Sequence, residues 1–127
     1  MLSIPRSVRI YIASAPTDMR RSIDGLMALV TEELGEDAYS GHLFVFLSRR
    51  SDRVKILTWD NGGFVLYYKR LEQGRFRPLQ VDPSAKAVEI GATQLMMLLD
   101  GINVSRVRNP KHWKRPAGCP MDNRAPA

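Results

Sequence analysis

The sequence predicts an α+β fold, an antiparallel sheet of four to five strands with two helices packed on it. Three observations lead there. The stretch from His42 to Arg77 holds three apolar, aromatic and β-branched runs, Leu43–Leu47, Val54–Trp59 and Phe64–Leu71. Turn signals at Arg49–Asp52 and Asp60–Gly63 separate them, so the stretch reads as a central three-stranded meander. Met19, Ile23, Leu26, Met27 and Val30 recur at helical spacing, and Leu95, Met96, Leu98 and Leu99 form a shorter apolar helix.

The first element is a short strand, Val8–Ile12, entered through Pro5. Ser14–Asp18 turns the chain, with Thr17 as the expected N-cap and Asp18 favouring the positive end of the helix dipole. The first helix spans roughly Asp18–Glu33 and closes near Gly35. Gly25 inside it costs about 1 kcal/mol relative to Ala unless a neighbour packs closely there. Arg20, Arg21 and Asp24 lie toward its polar side; they read as a solvated face, with a phosphate or carboxylate partner as the alternative. Glu36–Gly41 is a loop into the meander.

Within the meander, Asn61-Gly62 tolerates the positive φ that a tight hairpin needs. That turn sets Trp59 against Phe64, Leu57 against Leu66, Lys55 against Tyr68 and Arg53 against Arg70. Alternation then places these eight residues on one sheet face. Val54, Ile56, Thr58, Val65, Tyr67 and Lys69 occupy the other, which is expected to cover the core. Gly74 follows the third strand and Phe76 returns to the core. Gln80–Lys86, containing Pro83, is a loop, and Ala87–Ile90 is one more short strand. Gly91 caps the second helix, with Gln94 at the third helical position, and Gly101 ends it. So apolar a helix needs partners on more than one side, which makes a homodimer or a protein partner an alternative. Residues 1–103 form a single domain. Residues 104–127, rich in Pro and basic side chains without periodicity, are expected to be a mobile tail.

Charge is segregated along the chain. Residues 41–79 carry eight basic and three acidic side chains, and residues 102–127 carry six and one, whereas the remaining segments are net acidic. Confinement of positive charge to the meander and the tail points to an acidic partner, with DNA the first candidate. With both helices on one face of the sheet, the other stays open to a partner. The expected phosphate contacts are Arg49, Arg50, Arg53, Lys55, Lys69, Arg70, Arg75 and Arg77, with Trp59 or Tyr68 for stacking or packing. Lys111, Trp113, Lys114 and Arg115 in the tail would extend the grip. The same cations would also serve simply to solubilise an outer face while their stems cover apolar neighbours.

The residues assemble no catalytic constellation. His42, His112 and Cys119 do not form a recognisable metal site, and no base stands beside Cys119. Asp18 and Asp24 point to different faces of a helix, and Asp52 and Asp60 are turn residues, so clustered carboxylates for two-metal chemistry are lacking. No enzyme activity, cofactor or metal is therefore expected. An apolar and charged content of 44% and 25% is that of a soluble globular protein. No apolar run approaches the roughly 18 residues of a membrane span, and the N-terminal patch, broken by Arg6 and Arg9, is not read as a signal peptide. A single cysteine agrees with a cytoplasmic location.

Two passages, VRIYIASAPTDMRRSIDGLMALV (Val8–Val30) and GHLFVFLSRRSDRVKILTWDNGGFVLYYKRLEQGRFRPL (Gly41–Leu79), resemble the TnpB accessory proteins of the IS66 class of bacterial insertion sequences. The match runs through Thr17-Asp18-Met19-Arg20, Asp24-Gly25-Leu26, the whole meander, and Gln94-Leu95 with Leu98-Leu99 and Gly101-Ile102, over roughly residues 4–103. Thr58 stands where an aromatic is common, Gly91-Ala92 replaces a Thr-Pro helix start, and the basic tail is longer than the pattern. The resemblance implies a small protein that assists a separate, larger transposase and carries no catalytic residues. An unrelated RNA-guided nuclease shares the TnpB name; it is far longer and depends on a carboxylate-metal core that this sequence lacks. Two functions follow as expectations. One is a non-catalytic accessory factor of transposition that binds DNA. The other is a protein-interaction module that binds the transposase or a sister accessory protein of the element without touching DNA.

Overall fold

The computed structural model describes Pro5, residues 7–77 and residues 84–100. The expected tail and residues 80–83 of the Gln80–Lys86 loop lie outside these residues. The chain forms β1 (Ile10–Ala13), α1 (Ile23–Glu32), a 3₁₀ turn (Ala38–Ser40), β2 (Leu43–Leu47), β3 (Arg53–Asp60), β4 (Gly63–Arg70), β5 (Ala87–Ile90) and α2 (Ala92–Leu99). The strands make one five-stranded sheet in the order β4-β3-β2-β1-β5.

The meander has the expected register: Trp59 faces Phe64, Leu57 faces Leu66, Lys55 faces Tyr68 and Arg53 faces Arg70. Its hairpin closes through Asn61 at φ 43° and Gly62 at φ 95°, the two positive values of a type I′ turn. One pairing departs from the antiparallel expectation. β1 lies parallel to β2, with Tyr11 opposite Phe44. The chain between them is long enough to carry α1 and return to the same end of the sheet, which a parallel neighbour requires. β5 completes the sheet antiparallel to β1.

The helices do not share a face. Leu26 and Val30 of α1 pack with Phe44, Phe46 and Leu57 on one side of the sheet. Leu95, Leu98 and Leu99 of α2 pack with Ile10, Ile12, Val45, Val54 and Ile56 on the other, joined by Phe76. This corrects the expectation of an open face. The reason lies in β2, where LFVFL is buried at all five positions because both its faces are covered. The basic-aromatic face of the hairpin is therefore, over much of its area, the floor beneath α1.

α1 also starts later than expected. The cap is Ser22, not Thr17, which is buried and donates its N–H to Leu47 O at 2.8 Å. Residues 17–21 instead make a local turn in which Asp18 accepts from the Arg20 N–H at 2.9 Å and pairs with the Arg20 guanidinium at 2.8 Å. The Arg21 stem lies over Gly25, where a Cβ would sit 3.2 Å from Arg21 Cβ, so the mid-helix glycine makes room for this arginine. The second cap is as expected, with Gly91 N–H donating to Gln94 Oε1 at 2.8 Å.

Candidate nucleic-acid interface

Parallel pairing brings the end of β1 and the end of β2 to the same edge of the molecule, where β3 begins and β4 ends. Two loops meet there. In the turn after β2, Ser48 Oγ accepts from Arg53 N–H at 3.1 Å and donates to Asp52 Oδ1 at 3.1 Å. Ser51 takes φ 58° and donates its N–H to Ser48 O. The chain leaving β4 is tied to this turn, because Leu71 N–H donates to Asp52 O and Phe76 N–H donates to Ser51 O at 2.6 Å. Phe76 is buried, and the exposed Arg75 and Arg77 flank it.

The result is a concentration of arginines at one end of the sheet. Arg49, Arg50 and Arg53 line a cleft of about 580 Å³ whose other wall is Pro16–Arg20. Arg70 stands directly opposite Arg53, and Arg75 and Arg77 lie beside the Ser48–Asp52 turn. A neighbouring groove of about 730 Å³ shares Pro16, Thr17, Asp18 and Arg49 with the cleft and adds Arg21 and Lys86. Ser14 Oγ, buried at the wall of that groove, has no hydrogen-bond partner among the described residues. Three carboxylates line these two spaces, Asp18, Asp52 and Glu33, and the first two are engaged in hydrogen bonds. Asp18 is held down to about 2 by hydrogen bonds from the Arg20 side chain and N–H, and Glu72 pairs with Arg70 at 3.2 Å.

Six of the expected contact residues, Arg49, Arg50, Arg53, Arg70, Arg75 and Arg77, are exposed and gather at this end. Lys55 does not join them. It is buried beneath the loop before α1, where Nζ donates to Met19 O and Arg21 O, both at 2.8 Å, and sits 5.1 Å from the centre of the Tyr68 ring. Lys69 is likewise engaged, donating to Leu99 O at the C-terminus of α2 at 2.6 Å. Trp59 belongs to a cluster with Tyr39 and Phe64, ring centres 5.0–5.2 Å apart. It lies six residue steps along β3 from Arg53, about 20 Å at the rise of a strand, so the aromatic and basic ends of the hairpin are different places. Tyr68 is half exposed. Lys111, Trp113, Lys114 and Arg115 lie outside the described residues.

Arg20 and Arg21, for which a phosphate partner was only the alternative to a solvated face, both border this end of the molecule. Their sequence signal was present, two arginines just after a turn, but nothing in one chain's pattern says that this turn meets Arg49 and Arg50. No group of three or more His, Cys, Asp or Glu among the described residues could hold a metal ion. His42 Nδ1 accepts the Arg9 N–H at 2.9 Å. No helix among the described residues is long and apolar enough to cross a membrane.

A family model described as "IS66 Orf2 like protein" matches residues 8–109, a span that includes all five strands and both helices. The chain belongs to this family. Two relatives from Sinorhizobium fredii (strain NBRC 101917 / NGR234) agree over nearly their full length. "Uncharacterized protein y4jC" is 37% identical over 91% of this chain and 97% of its own, and "Uncharacterized protein y4hO" is 39% identical over 91% and 96%. No solved structure matches the chain. Membership gives this IS66 Orf2-like protein an accessory role connected with transposition and associates it with the other proteins of such an element.

Proposed function

We propose that this IS66 Orf2-like protein is a non-catalytic, cytoplasmic accessory factor that grips DNA by its phosphate backbone through the arginine end of the sheet. One observation carries the reading: exposed arginines from three separate stretches, Arg49 to Arg53, Arg70, and Arg75 with Arg77, are tied to one place by backbone hydrogen bonds. The cost of that arrangement points the same way. Arg53 and Arg70 are direct cross-strand neighbours, a pairing of like charges that weakens a sheet, and a polyanion relieves it. Guanidinium groups suit phosphate because they bind it through two parallel N–H donors. The described residues offer no free helix to enter a groove, so contacts go to the backbone and sequence preference is weak.

Fluorescence anisotropy with a labelled terminal-repeat duplex and a scrambled duplex of equal length, across a salt series, tests this. Six arginine–phosphate contacts give a log-log salt slope of about −5 for both duplexes. Absence of binding to either duplex near ~0.1 M salt would refute the proposal. It would leave the arginine end to an acidic surface on the transposase or a sister protein.

A further inference from the structure

The outer edge of β4 is, among the described residues, a long strand edge with no strand beside it. β4 is the terminal strand of the sheet, and no described strand lies beyond it. Val65, Tyr67 and Tyr68 on it are 44%, 38% and 50% exposed. Leu71 N–H donates inward to Asp52 O, and the hairpin turn bonds Gly63 to Asp60, so odd-numbered residues of this strand direct their backbone groups to β3. The N–H and C=O groups of Phe64, Leu66, Tyr68 and Arg70 therefore point outward.

We infer that β4 pairs with β4 of a second copy of this chain, antiparallel about a two-fold axis at Tyr67, to make a continuous ten-stranded sheet. Three features of the strand favour this partner, and the register meets each of them. Its first half, Gly63–Leu66, is apolar and its last two residues are Lys69 and Arg70. A parallel copy would set like charges beside each other, whereas an antiparallel copy sets Arg70 against Phe64 and Lys69 against Val65, with no cation facing a cation. A two-fold axis perpendicular to the sheet keeps each face continuous only if partners share a face. The register centred on Tyr67 meets this condition, since it pairs Leu66 with Tyr68 on the α1 side and Val65 with Lys69 on the α2 side. That register also places the outward backbone groups of Leu66 and Tyr68 opposite each other, where they complete a ladder. The two Tyr67 residues then meet in a non-hydrogen-bonded pair, with Cα atoms about 4.5 Å apart. The pairing shares only Arg70 with the arginine end, through its backbone, and needs no DNA, so its test is separate from that of the proposed function.

Sedimentation velocity of the full chain without DNA is expected to give a species of twice the chain mass at micromolar concentration. Tyr67→Lys puts two ammonium groups on the axis, and a monomer with an unchanged circular dichroism spectrum is expected. The register has its own readout in a Cys119→Ser background. Tyr67→Cys brings two thiols within disulfide distance and is expected to give a covalent dimer on mild oxidation, whereas Val65→Cys, facing Lys69 of the other copy, is not. A monomeric parent chain, a dimer that survives Tyr67→Lys, or equal cross-linking at both positions would each overturn the inference.

Discussion

Removing the Lys55 ammonium leaves the carbonyls of Met19 and Arg21 without their donor in a buried place. Lys55→Met is expected to cost about 2–3 kcal/mol, since hydrogen bonds from a charged group are worth more than neutral ones and the abandoned carbonyls stay desolvated. Urea unfolding measures the loss, and DNA affinity of the folded variant should match the parent. From sequence this lysine belonged with the basic face, because alternation tells which face a side chain takes but not what covers that face. A second residue-scale expectation concerns Asp18. Its carboxyl sits at about 2, below the usual 3.8, first because the Arg20 side chain donates to it. A lowered value means the pair contributes fully above about pH 4 and is lost as pH falls through about 2. In Arg20→Gln the carboxyl should titrate nearer 3.8, which carboxyl NMR shifts report directly; an unchanged value would remove Arg20 as the cause.

At the scale of elements, the meander was legible down to its register because Asn61-Gly62 favours a two-residue turn and alternation does the rest; a three-residue loop would have shifted the pairing. Phe76 was legible too, as a lone aromatic in a polar stretch. The sides taken by the helices were not. That information sat in β2, whose unbroken LFVFL run signals cover on both faces, while the parallel pairing of β1 and β2 depends on where a long connection returns. The arginine end follows from that same return, so it could not be seen as a place in the sequence, although six of its residues could be named. A functional site of this kind should be held against stability. Arg53→Glu sets an opposite charge across from Arg70, and is expected to stabilise the free protein by about 0.2–1 kcal/mol. The same change should weaken DNA binding, most strongly at low salt. Thermal unfolding and anisotropy on one sample check both signs, and a variant weaker in stability would contradict the like-charge account.

Over the whole molecule, the sheet separates two tasks. Its two faces are spent on helices, one hydrophobic core on each side, so neither face is a platform. The surfaces proposed for partners are the arginine end and the β4 edge. Antiparallel pairing of β4 would carry two arginine ends to opposite ends of one extended sheet, giving a dimer two separate grips on a duplex or on two duplexes. The same division explains why a net charge of +6 coexists with a core of ordinary composition. The cations that the fold needs internally, Lys55 and Lys69, are lysines with single-point contacts to carbonyls. The six proposed to hold a partner, Arg49, Arg50, Arg53, Arg70, Arg75 and Arg77, are arginines.

The most direct measurement compares the salt dependence of duplex binding for the parent chain and for the triple variant Arg49→Gln, Arg50→Gln, Arg53→Gln. Each phosphate contact removed takes about 0.9 from the log-log slope. If these arginines grip the backbone, the slope should flatten by about 2.7, with equal loss on terminal-repeat and scrambled duplexes and an unchanged unfolding midpoint. An unchanged slope and affinity in a folded triple variant would contradict the assignment of DNA binding to this end of the sheet.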